Sequence, residues 1–384
     1  METTLKIICF FCGSAILVLR PISMDYFSKS SLLGSYTYYL AFATVILFLI
    51  GMSFDSFLLS NALDLNQEED SYITKKKYHD NGISNLNSIA GTWLLISFVF
   101  CILNFIRFND FFNIIILSGS LISGNFSLTL YRLRNNKSYH YLFLFRSIIL
   151  VLFTLYSTKT FDNLNMIIFF ELIANSIVFL LSTSSIKFSF KIFGVYNKFS
   201  MRYIANSLIT NLDKIIIGLI SKEILTFYAL YYIFINGGIV SNGILSNYIY
   251  SKNIKINFKF LSGVFTLLIL GVIFISILFF GFNFRLPLYF INNNYQSFFL
   301  CLSSIFIGIT CIEYAGLKMN KPGLVLQNNI IYLIVVISLF LVLNNVEKNQ
   351  VIFSILLASF AKLVHFSIIF FRFKDTKRIN YEPL

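Results

Sequence analysis

The residues of this chain able to do chemistry are charges set inside long apolar runs. Asp213 and Lys214 follow Met201 by twelve and thirteen positions within one run, which is about 18–20 Å along a helix that rises 1.5 Å per residue. Arg146 and Glu171 each stand about two turns inside theirs. Lys362 and His365 lie one turn apart on one face of the last run, and Arg20 falls in the first. Near the centre of a bilayer each charge costs about 2.5–3.5 kcal/mol on insertion scales, so it needs a partner or a water-filled cavity. A cavity lined by Arg146, Lys214, Arg20 and Lys362 would hold more cations than acids and would suit an anion such as a diphosphate headgroup. Arginine would grip it through a bidentate fork and lysine as a point charge. Interhelical salt bridges or snorkelling side chains would also place charges here, and Arg20, Glu171 and His365 fit that structural reading at least as well. Arg107, Lys159, Arg285 and Glu313 fall near the ends of their runs, where the structural reading prevails.

Other chemistry is missing from the pattern. The sequence holds no phosphate-cradling glycine loop, no metal-ligand cluster and no nucleophile–base pair, so neither a cofactor nor ATPase or other enzyme activity is expected. Cys9-Phe10-Phe11-Cys12 has C-x-x-C spacing but lies in an apolar run with no βαβ context. Cys9, Cys12, Cys101, Cys301 and Cys311 therefore read as small buried hydrophobes. Gly237-Gly238 within a run suggests close helix packing or a bend.

The elements that must position these charges are transmembrane helices. Windows of about 20 apolar residues, the length that spans ~30 Å of hydrocarbon, number twelve: Leu5–Ile22, Tyr38–Ser60, Ser88–Ile106, Phe111–Tyr131, Tyr139–Tyr156, Leu164–Leu181, Met201–Ile220, Leu225–Tyr248, Phe260–Phe280, Ser297–Leu317, Leu324–Leu343 and Val351–Phe371. A chain of 384 residues that is 57% hydrophobic and only 12% charged is no soluble domain. Its formal charge of +13 does not mark a nucleic-acid binder, because the basic residues sit in short loops rather than on one tract. Membrane lipids with anionic headgroups absorb that charge.

Those loops fix an orientation. Nineteen Lys and Arg lie in the even-numbered connections and the carboxy-terminal tail, including Lys75, Lys76 and Lys77, against seven in the odd-numbered ones. Cytoplasmic loops hold the excess, so both termini are expected in the cytoplasm. The first run carries no small-x-small cleavage site, so it reads as an uncleaved helix rather than a signal peptide.

The longest connection, Asn61–Asn87, is charged, and no extramembrane domain is evident. The Ser- and Lys-rich stretch 183–200 reads as a cytoplasmic linker between two six-helix bundles, 1–182 and 201–384. Leu33-Gly34-Ser35-Tyr36 after the first run and Leu225-Thr226-Phe227-Tyr228 after the seventh are offset by 192 residues. Both halves begin inside, so the repeats would be parallel and related by an axis along the membrane normal. Under that offset Asp213 aligns beside Arg20, and the two could pair across a central cleft.

Three stretches carry a resemblance to a known family. Asn211-Leu212-Asp213-Lys214-Ile215-Ile216-Ile217-Gly218-Leu219-Ile220, followed by Leu225-Thr226-Phe227-Tyr228, resembles the seventh and eighth spans of Wzx-type polysaccharide repeat-unit flippases of the multidrug/oligosaccharidyl-lipid/polysaccharide exporter superfamily. Leu33-Gly34-Ser35-Tyr36 resembles their turn after the first span, and Lys321-Pro322-Gly323 their tenth-to-eleventh connection. Thr226 departs from the family's usual glycine, and the chain is somewhat short. The resemblance implies an all-α fold of twelve transmembrane helices in two pseudo-symmetric six-helix bundles. It also implies translocation of a polyprenyl-diphosphate-linked oligosaccharide across the cytoplasmic membrane by alternating access, with H+ or Na+ coupling placed at Asp213, titratable and next to Lys214. A polysaccharide polymerase and a chain-length regulator would be the protein partners. A multidrug exporter of the same superfamily would want acids rather than cations in the cleft. A polymerase or ligase enzyme would want a long outer loop, and a structural membrane protein would need neither the repeat nor the charges.

Overall fold

The computed structural model describes residues 2–28, 32–52, 72–134, 139–183, 188, 198–251, 258–317, 322–342 and 347–374. Among the described residues the chain is all helical, with no strand. The α-helices are α1 Glu2–Phe27, α2 Leu32–Leu47, α3 Tyr72–Ile106, α4 Asp110–Arg134, α5 Tyr139–Phe161, α6 Leu164–Ser182, α7 Lys198–Ile220, α8 Lys222–Ser251, α9 Phe258–Ser276, α10 Asn294–Leu317, α11 Pro322–Val342 and α12 Lys348–Lys374. Wider π-turns extend α2 over Phe48–Met52 and α9 over Ile277–Gly281. Each apolar window of the sequence falls on one of these helices, apart from 53–60 and 343, which lie outside the described residues.

Six stretches among the described residues are long and apolar enough to cross a membrane: Leu32–Ile50, Ile83–Ile106, Asp110–Tyr131, Tyr139–Phe161, Leu164–Ser182 and Lys348–Ile368. Their outer faces have the character of a membrane protein. On α12, Phe353, Leu357, Phe360, Val364 and Ile368 are exposed at helical spacing, while Ser354, Ser359 and Lys362 are buried. Water would reverse that arrangement, whereas hydrocarbon favours it.

Local chemistry sets the helix ends. Asn109 closes the turn into α4, its Oδ1 accepting from the Phe111 amide at 2.9 Å. Asp162, in the left-handed region at φ 44°, turns the chain out of α5, and Asn163 caps α6 by accepting from the Asn165 amide. Pro21 sits inside α1 directly after Arg20 and removes the amide that would bond the Leu17 carbonyl. Of the long connection expected over Asn61–Asn87, the part from Tyr72 onward is helix and 61–71 lie outside the described residues. Lysines and other charged residues favour helix as well as many apolar ones do, so helix runs ahead of the apolar window.

The chain divides into two compact units, Met1–Thr226 and Phe227–Leu384. In the first, α3 packs along α4, α1 along α5, α4 and α5 against α6, and α2 against α4 and α7. Ser118, Ser120, Ser123 and Ser127 of α4 are fully buried, and such small residues let helices approach closely. An apolar cluster of Ile50, Leu86, Ala90, Ile122, Phe126 and Phe179 fills one end of this unit. In the second unit α12 packs against α10 and α11, with Ile309, Leu363 and Phe366 at its core. Of the expected linker, 184–187 and 189–197 lie outside the described residues, as do Lys29, Lys137, Lys187, Lys191, Lys252, Lys255, Lys318, Lys321, Lys377 and Arg378. So do the side chains of Lys75, Lys76, Lys77, Cys311 and Glu313.

Candidate functional site

The first unit encloses a polar network built on α6. Glu171 and Asn175 are one turn apart and point the same way, so each receives a different arginine. On the first rung Arg20 of α1 donates from Nη2 to Glu171 Oε2 at 2.5 Å and from Nε to Thr154 Oγ1 of α5 at 2.9 Å. Tyr36 of α2 donates its hydroxyl to the same carboxylate oxygen at 2.7 Å, and its ring lies 4.9 Å beneath the Arg20 guanidinium. Four helices therefore meet at one ion pair. Glu171 is 2% exposed, so its carboxylate cannot be rehydrated without moving a helix.

The second rung holds Arg146 of α5. Its Nε donates to Asn175 Oδ1 at 2.8 Å and its Nη1 to Asn125 Oδ1 of α4 at 3.2 Å, while Asn175 Nδ2 donates to Ser120 Oγ at 2.8 Å. A Cβ on Gly124 would come within 2.7 Å of Arg146 Nη2 and would collide with Asn175 Oδ1. The missing side chain at 124 is the space these polar ends occupy. Arg146 is 9% exposed and, among the described residues, forms no ion pair. The network holds two guanidinium groups and one carboxylate, a net charge of about +1.

The other charges have their own partners. Asp213 and Lys214 pair within α7: Lys214 Nζ reaches Asp213 Oδ1 at 3.1 Å and the Thr210 carbonyl at 2.9 Å, and Asp213 Oδ1 also accepts from the Lys214 amide at 2.8 Å. Arg20 thus has Glu171 as its carboxylate, and the pairing with Asp213 considered from the repeat is not formed. Proximity decides this, because α1 packs along α5, which itself lies against α6. In the second unit Lys362 donates to Asn329 Oδ1 at 2.7 Å with its ammonium 5.8 Å from the Tyr332 ring centre. His365 Nδ1 lies 3.3 Å from Asn328 Oδ1, so both rungs expected on one face of α12 meet consecutive amides of α11. Tyr228 and Tyr332 bring their hydroxyls to 3.2 Å.

The structure thus brings Arg20 and Arg146 to successive turns of α6, holds Asp213 with Lys214 on one helix, and sets Lys362 in the second unit. Asn125, Asn175 and Thr154 complete the first network and were not singled out from the sequence, and Tyr36 entered there only as the end of a repeated motif. Buried amides in the middle of an apolar window are themselves the missed signal, because each needs a partner there. Cys9, Cys12, Cys101 and Cys301 are free thiols, and among the described residues no group of three His, Cys, Asp or Glu could hold a metal ion. The chain matches no known family, and no curated protein matches it.

Proposed function

We propose that this protein is a flippase that carries a polyprenyl-diphosphate-linked oligosaccharide repeat unit across the cytoplasmic membrane for surface polysaccharide synthesis. Twelve spanning helices form two pseudo-symmetric halves, 1–182 and 201–384, with both termini in the cytoplasm, and the halves work by alternating access. The observation that carries the reading is the surplus guanidinium of the α4–α6 network: a buried cation balanced by amides alone is a standing demand for an anion. The substrate's diphosphate supplies one. Passing it from cation to cation keeps a charged, hydrated headgroup out of hydrocarbon, while the lipid tail stays in the bilayer. Arg20, Arg146, Lys214 and Lys362 are the cations of that path, and Asp213 is the residue assigned to H+ or Na+ coupling. The protein makes and breaks no covalent bond and needs no cofactor. A polymerase and a chain-length regulator act on what it delivers.

The test is made in the producing cell. Loss of the protein, Arg146→Ala and Asp213→Asn should each abolish surface polysaccharide and leave lipid-linked repeat units on the cytoplasmic leaflet, with both variants inserted at wild-type levels. Normal surface polymer in both variants would refute the assignment.

A further inference from the structure

The two turns that share the Leu-x-x-Tyr pattern touch. Gly34, in the first turn of α2, lies so close to the start of α8 that a Cβ there would strike the Lys222 carbonyl oxygen and come within 2.7 Å of Thr226 Oγ1. The obstacle is mainly backbone and could not yield. Gly218, at the end of α7, is pressed in the same way, because a Cβ would run into the Tyr38 ring and lie 3.0 Å from Leu225 Cδ2. Gly34 and Tyr38 are one turn apart on α2, so a single face of that helix meets the α7–α8 hairpin. This also accounts for the departure at Thr226: where two turns pack against each other, one glycine makes enough room.

The seam is held differently from the interior. Lys222 Nζ sits 5.3 Å from the Tyr38 ring centre and 5.2 Å from that of Tyr39, and among the described residues it forms no ion pair. Tyr39 in turn donates its hydroxyl to Asp110 at the start of α4. Smooth glycine contacts and a cation over aromatic faces come apart without stranding a buried charge, unlike the Arg20–Glu171 pair. The same helix also reaches inward, since Tyr36, placed between Gly34 and Tyr38, donates to Glu171. Any shift of α2 at the seam must therefore alter the arginine network.

We infer that this seam is the non-cytoplasmic gate of the transporter: closed here by Gly34 against Lys222 and by the lysine–tyrosine stack, it parts to release substrate. Occupancy of the arginine network acts on it through Tyr36. The inference rests on the flippase reading and on the orientation that places the α1–α2 and α7–α8 turns outside. In an otherwise cysteine-free chain, Gly34→Cys with Thr226→Cys places two thiols near the about 3.5–4.5 Å Cβ separation that a disulfide needs. Should the added Cβ at 34 prevent folding, Tyr38→Cys with Lys222→Cys, bridged by a short bifunctional thiol reagent, replaces it without touching the backbone contact. Cross-linking is expected to lower surface polysaccharide about tenfold or more, with recovery on reduction or with a cleavable linker. A cross-linked chain that supports as much polymer as its reduced form overturns the gate and leaves the flippase reading standing. A deletion strain that keeps its surface polysaccharide overturns that reading, and the gate with it.

Discussion

The two units bury charge by different means. In the first, Arg20 and Glu171 meet as a full ion pair between sequence-distant helices, at 2.5 Å, with Tyr36 and Thr154 completing the bonds. In the second, Lys362 is received by an amide of the neighbouring helix, Asn329 Oδ1 at 2.7 Å, and His365 by the next amide along. The first arrangement commits four helices to one geometry, because moving any of them strands a charge. The second leaves α11 and α12 joined by hydrogen bonds that can be exchanged for water or for a ligand group one at a time. The comparison teaches which unit is frame and which can adapt. Arg146 stands between the two cases, inside the rigid network yet held by neutral amides.

The sharpest way to break the distinction is Glu171→Gln. It leaves Arg20 buried against a neutral partner and should cost about 3–5 kcal/mol in a denaturant titration of the detergent-solubilised protein. Adding Arg20→Gln should recover part of that loss, since the uncompensated charge goes with it. Lys362→Met should cost less, about 1–3 kcal/mol, because the Asn329 carbonyl oxygen that it leaves short of a donor is neutral. Equal losses for Glu171→Gln and Lys362→Met would erase the difference between the units.

Hydropathy made the elements legible, since an apolar window long enough to span a bilayer is also long enough to be a helix. Counting residues from a window's edge set Arg146, Glu171 and Asp213 well inside their runs, and all three side chains are buried within the protein. Partners were not legible. Arg20 finds Glu171 because α1 lies along α5 beside α6, and nothing in the local sequence of any of these helices names its neighbour. The amides were passed over for a related reason. Asn125 and Asn175 carry no charge to draw the eye, although burying an unsatisfied amide costs enough to require a partner. The extension of α3 back to Tyr72 was hidden because hydropathy reports the membrane's edge, which need not be the helix's.

The smallest predicted effect isolates a single hydroxyl in each unit. Tyr36 and Tyr228 occupy the same place in the repeated Leu-x-x-Tyr pattern, are 4% and 0% exposed, and both point a hydroxyl inward. Tyr36 gives its proton to a carboxylate at 2.7 Å, and Tyr228 shares a hydrogen bond with another phenol at 3.2 Å. Tyr36→Phe should therefore cost about 1.5–3 kcal/mol, the worth of a hydrogen bond to a charged group. Tyr228→Phe should cost only about 0.6 kcal/mol, typical of a neutral side-chain bond between helices in a membrane. The same denaturant titration separates them. If Tyr228→Phe proves the costlier change, the second unit depends on its polar contacts as heavily as the first, and its adaptable role would have to be given up.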